Sequence, residues 1–152
     1  MKKYFFILVI ILCLLMIGCT DGSLSGSKPP KVYIKISDTQ YETVLGTYCW
    51  KECADTVGPV QLFEGKEPIK VNPGEEITII MDYEPKPSES HLSIVNEKSD
   101  SIKTEVLSKE NEFSAPSEKG IYYYSYGVWW MDEEEEHVSH GDAFYAFAIE
   151  VE

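Results

Sequence analysis

Apolar residues in the second half of the chain recur with period two. In residues 121–130, Tyr122, Tyr124, Tyr126 and Val128 fall on one face, and Ile121, Tyr123 and Ser125 on the other. In residues 143–151, Tyr145, Phe147, Ile149 and Val151 share a face, opposite Ala146, Ala148 and Glu150. Such alternation in aromatic and β-branched residues predicts half-buried strands. Shorter segments at 32–36, 41–48, 60–63, 68–71, 75–82, 91–96 and 102–107 extend the series. Turn residues separate them, among them Gly58-Pro59, Asn72-Pro73-Gly74, Pro85-Lys86-Pro87 and Lys119-Gly120. No window carries a 3.6-residue apolar stripe of helical length. Short strands roughly every 8–12 residues predict an all-β protein, an antiparallel β-sandwich over residues 32–152.

The first residues break this pattern. Met1-Lys2-Lys3 is basic, and residues 4–17 form an apolar run, shorter than the roughly 20 residues of a membrane-spanning helix. Together they predict a signal peptide over residues 1–18. Leu15-Met16-Ile17-Gly18-Cys19 resembles a bacterial lipobox. The resemblance implies cleavage before Cys19 and a diacylglycerol on its thiol, so that the membrane is a partner through a lipid anchor on the extracytoplasmic face. Two acyl chains hold a protein stably where one does not. Residues 19–31, with a run rich in Gly, Ser and Pro and without periodicity, are expected to form the lipidated Cys and a flexible tether.

Charge narrows the function classes. Thirteen basic against 26 acidic side chains give a formal charge of -13, and the signal region holds Lys2 and Lys3 but no acid. So acidic a domain lacks the basic face that displaces counterions from nucleic acid, so no nucleic-acid partner is expected. Twelve per cent aromatic residues is too rich for a disordered acidic chain.

Cys49-Trp50-Lys51-Glu52-Cys53 is the one cysteine pair beyond the signal region and Cys19. In an exported protein a bridge between Cys49 and Cys53 is the leading reading, with a soft-metal site or free thiols as alternatives. A thioredoxin-type redox pair has two intervening residues at a helix N-terminus, and neither condition holds.

Between the last two strands lies an acidic stretch, Asp132-Glu-Glu-Glu-Glu136-His137-Val-Ser-His140-Gly-Asp142. A solvated loop is the simple reading. The alternative is a divalent metal clamped by His137, His140 and Asp142. Adjacent strand residues point to opposite faces, so one of Trp129 and Trp130 is expected to face outward as a partner contact. No Gly-x-Ser-x-Gly, phosphate-cradling glycine loop or His-Glu-x-x-His occurs, and no resident cofactor is implied.

Two resemblances follow. The Pro116-x-x-x-Gly120-x-Tyr122 segment and the last strand resemble the final hairpin of immunoglobulin-like sandwiches, with Tyr122 at the place of a tyrosine corner and Tyr124 where a Cys is usual. Gly46-Thr-Tyr48-Cys49-Trp50, Cys53-Ala-Asp55 and Gly58-Pro59-Val60, with segments 126–130 and 141–147, look similar to a YhfM-like group of small lipoproteins of Bacillus-type Gram-positive bacteria. That likeness implies an envelope lipoprotein and carries over no activity. The expectation is a non-enzymatic binding or accessory module acting on an unknown envelope protein or ligand, the alternative a metal-binding or metal-delivery protein.

Overall fold

The computed structural model describes residues 24–96, 102–105, 107 and 111–152. Cys19, the expected signal peptide and the start of the tether lie outside the described residues. Among the described residues eleven strands form two packed sheets. β1 (Val32–Ile36), β2 (Thr39–Glu42), β6 (Glu76–Met81) and β9 (Glu112–Ser114) make the smaller sheet, in the order β2-β1-β6-β9. The larger sheet has β3 (Val44–Cys49), β4 (Cys53–Ala54), β7 (Glu89–Asn96), β8 (Ile102–Glu105), β10 (Gly120–Met131) and β11 (Ser139–Val151), in the order β4-β3-β11-β10-β7-β8. A seventh strand, β5 (Ile69–Val71), runs parallel beside the end of β11, and every other ladder among the described residues is antiparallel.

The order is that of an immunoglobulin-type sandwich. β1, β6 and β9 stand as strands A, B and E, facing β11, β10, β7 and β8 as G, F, C and C′. Residues 37–68 are then an insertion between β1 and β5. It adds β3 and β4 beside β11 and continues into a short helix.

The period-two pattern decides the core. Val32, Ile34, Ile36, Ile77 and Ile79 point from the small sheet toward Tyr124, Tyr126, Val128, Tyr145, Phe147 and Ile149 of the large one, and all are buried. The Tyr124 and Phe147 rings stack at 4.7 Å. Tyr122 donates its hydroxyl to the Glu118 carbonyl at 2.9 Å, a bond back to the preceding turn of the tyrosine-corner type. Cys49 and Cys53, opposed on β3 and β4, form a disulfide.

Three sequence expectations change. Residues 60–63 are not a strand: Pro59–Leu62 is a four-residue helix, α1, because Pro59 at its first position presets a helical φ. Residues 41–48 are not one strand either. The chain breaks at Thr43, whose N–H and hydroxyl both bond the Val32 carbonyl. Residues 24–31, expected as part of the flexible tether, pack on the sandwich. Leu24 is buried at 8% exposure beside Gly141 and Trp50. Ser25 donates its N–H to the Tyr83 hydroxyl at 2.8 Å, and Tyr145 donates to the Pro30 carbonyl at 2.7 Å.

Candidate functional site

Alternation sends one residue set of the large sheet into the core and the other onto its outer face. On β10 the outward set is Ser125, Gly127, Trp129 and Met131. On β11 it includes Asp142, Phe144 and Ala146, and on β7 Glu89 and His91. The register places Glu89 of β7 and Asp142 of β11 directly opposite Trp129 of β10, one on each side. Gly127, the next outward position, is opposed by His91 and Phe144.

Gly127 carries the aromatic residues of this face. A Cβ there would lie 2.7 Å from Trp129 Cη2 and 2.8 Å from Phe144 Cε1, so both rings fold over the bare backbone. Trp129 meets Phe144 edge-to-face at 5.3 Å and His91 at 5.4 Å, which fixes the indole.

Two hollows flank this ridge. One, of about 300 Å³, lies between Phe144, Ala146 and Ser125 of the sheet and the wall made by Gly46, Thr56 and Leu62 of the insertion. Gly46 lets the wall come close: a Cβ there would sit 3.3 Å from the Phe144 carbonyl oxygen. The Thr56 N–H donates to Thr47 Oγ1 at 3.0 Å and ties the wall down. The other hollow, of about 320 Å³, is lined by Glu89, His91, Trp129, Met131, Asp142 and the edge of the acidic loop at His137 and Ser139.

No protein-family model, curated protein or solved structure matches this chain.

The acidic loop is organised by one of its own carboxylates. Asp132 Oδ1 accepts the N–H groups of Glu134 and Glu135 at 2.7 and 2.8 Å, and Oδ2 lies 3.0 Å from His140 Nε2. Those N–H groups, Glu135 first, hold the Asp132 carboxyl below the usual carboxylate range, with His140 adding to the effect. His137 takes a left-handed backbone, φ 66°, where the loop turns back toward β11.

The expected metal clamp is therefore divided. His137 and Asp142 border the second hollow, whereas His140 is engaged by Asp132 outside it. Among the described residues no three His, Cys, Asp or Glu side chains converge as ligands. A bulge falls where the chain enters β11: Trp130 pairs with Gly141 and Met131 with Ser139, which leaves His140 between two register positions.

Of the two tryptophans, Trp129 is the outward one. Trp130, also expected as a contact residue, is instead core: it is 4% exposed, and its Nε1–H donates to the Pro85 carbonyl at 2.7 Å. Asp142 is the electrostatically unusual group of the face. Partial burial raises its pKa, opposed by a bond from the Cys49 N–H. Glu89, His91, Met131 and Phe144 were not distinguished as site residues by sequence, because their meeting depends on the register of strands distant in the chain.

Proposed function

We propose that the protein is an extracytoplasmic lipoprotein, anchored to the cell membrane through Cys19, whose sandwich is a non-enzymatic binding or accessory module of the cell envelope. Its contact surface is the outer face of the large sheet. One observation carries the contact surface: a half-buried Trp129, braced over Gly127 between two hollows. A rigid aromatic side chain at the rim of a cavity binds without the entropy loss of ordering it first.

The lipobox-like Leu15–Cys19 segment supports the anchor, and the Gly46–Trp50, Cys53–Asp55 and Gly58–Val60 segments support membership of the YhfM-like group. Cys19 precedes Leu24 by five positions, and five residues span at most about 17 Å. Leu24 packs beside Gly141 and Trp50, at the end of the sandwich that also carries the acidic loop. On this reading that end lies toward the membrane, and the contact face stands beside the bilayer, open to a neighbour.

A photo-crosslinking residue at Met131 in the native envelope tests the surface, with one at Glu42 on the opposite sheet as control. A product from position 131 that disappears on Trp129→Ala is expected. Equal products from both positions, or a turnover activity abolished by a single surface substitution, overturn the reading. Cys19→Ala is expected to lose acyl labelling and membrane partition, and unchanged labelling refutes the anchor.

A further inference from the structure

We propose that the hollow around Trp129 binds a small organic cation, an ammonium group carried on a few carbon atoms. This rests on the contact-face reading and names the chemistry that face accepts.

The argument starts from the row Glu89, Trp129, Asp142 across β7, β10 and β11. Directly opposed residues have Cβ atoms about 4.5–5.5 Å apart, so Glu89 and Asp142 flank the backbone position of Trp129, and both line the same hollow as its indole. An ammonium over a tryptophan face is attracted by the ring quadrupole, and more strongly when part of its water is removed. The two carboxylates supply the complementary charge. Neither takes part in any of the four ion pairs among the described residues, which join Lys31 to Glu42, Lys70 to Glu152, Lys86 to Glu84 and His140 to Asp132. The chain contains no arginine to reach them.

Size and rigidity select the class of cation. A hollow of about 320 Å³ stands at the small end of ligand pockets, which run about 300–1,000 Å³, and has room for an ammonium headgroup. His91 and Phe144 hold the indole edge-to-face on either side. A divalent metal suits the row poorly, because no three ligands converge among the described residues. Met131 adds a soft apolar wall that an alkyl or methyl group can contact.

The test titrates the purified full-length protein in detergent with choline. The comparison is 3,3-dimethylbutan-1-ol, its uncharged carbon isostere, at ionic strength matched with NaCl. Binding is read by calorimetry and by tryptophan fluorescence. Choline is expected to saturate, and the isostere to bind at least about tenfold more weakly. Glu89→Gln and Asp142→Asn are each expected to weaken choline about five- to tenfold, and Trp129→Leu to abolish binding. Asp142→Asn should melt no lower than the parent, since it removes a partly buried charge and keeps an acceptor for the Cys49 N–H. Equal binding of the isostere, unchanged affinity in the charge variants, or displacement of choline by Ca²⁺ but not by Na⁺ at equal ionic strength overturns the proposal. So does absence of choline binding. If position 131 still gives its Trp129-dependent crosslink in that case, the contact face stands and only its ligand chemistry falls.

Discussion

Replacing Gly141 by Ala asks whether residues 24–31 belong to the folded domain. A Cβ at Gly141 would lie 2.6 Å from Leu24 Cδ1 and 2.9 Å from Trp50 Cε3, closer than real contacts allow. Trp50 is held edge-to-face against Trp130 at 4.9 Å and Tyr83 at 5.7 Å, so Leu24 is the group free to yield. Full burial of a leucine side chain is worth about 1.5–3 kcal/mol. One effect offsets its loss, because Ala narrows the unfolded ensemble by about 0.4–1 kcal/mol. The net is a destabilisation of about 1.5 kcal/mol, or roughly 5 °C in melting temperature for a domain of this size.

Thermal denaturation measures that shift, and hydrogen exchange shows where it acts. The Ser25 amide, bonded to the Tyr83 hydroxyl, should lose protection while the β10–β11 ladder keeps its own. Leu24→Ala in the Gly141→Ala background is the decisive control. With Cδ1 gone the new methyl group has room, so the two substitutions should couple favourably by about 0.5–1 kcal/mol. Strict additivity, or a Gly141→Ala variant in which Ser25 stays protected, would refute the packing argument.

Three further outcomes follow from named bonds. Tyr122→Phe removes the hydroxyl bonded to the Glu118 carbonyl and should cost about 0.5–1.5 kcal/mol in urea denaturation, with an unchanged denaturant slope. Reduction of the Cys49–Cys53 bridge, which closes a five-residue loop, should lower stability by about 2 kcal/mol in the chain-entropy model, read as a melting shift with and without reductant. Acid should loosen the 132–138 loop and the turn at Glu75. Asp132 is held low by the Glu135 and Glu134 N–H groups, and Glu75 by the Asn72 N–H and amide. A carboxyl depressed in the folded state stabilises it above the unfolded value near pH 4 and ceases to do so as pH falls through the folded value. Asp132→Asn and Glu75→Gln should therefore flatten the acid limb of the stability curve between about pH 5 and 2, and a limb unchanged in both counts against these bonds.

The long strands were legible because their patterns are long. The alternation over residues 121–130 and 143–151 leaves no rival period, and the faces of β10 and β11 sort there as the sequence indicates. Four apolar residues at 60–63 give no such discrimination, and there the proline before them was the better guide. Leu24 was hidden for another reason. One apolar residue in a polar run has no period, and its slot exists only because Gly141 lacks a side chain. Trp129 and Trp130 could be divided by alternation into one inward and one outward, but not assigned. The inner place goes to Trp130 because the Pro85 carbonyl satisfies its Nε1–H.

The contact face was less legible than the sandwich, since a face is made by register between strands far apart in sequence. Glu89 and His91 reach Trp129 from β7, and the 37–68 insertion contributes the wall from the other side. That insertion has two physical consequences. A bare β11 edge would present unpaired N–H and C=O groups to any other strand, and β3 of the insertion covers it at residues 142–146, while β5 covers residues 149–151. The same segment then carries Thr56 and Leu62 over Phe144 and Ala146, which turns an outward sheet surface into a concave one. An uncovered sheet face exposes its side chains to water on most sides and encloses nothing. With the insertion wall on one flank and the acidic loop on the other, Trp129 and Asp142 sit where water is partly excluded, and the charge of a small ligand is less screened there than on an open surface.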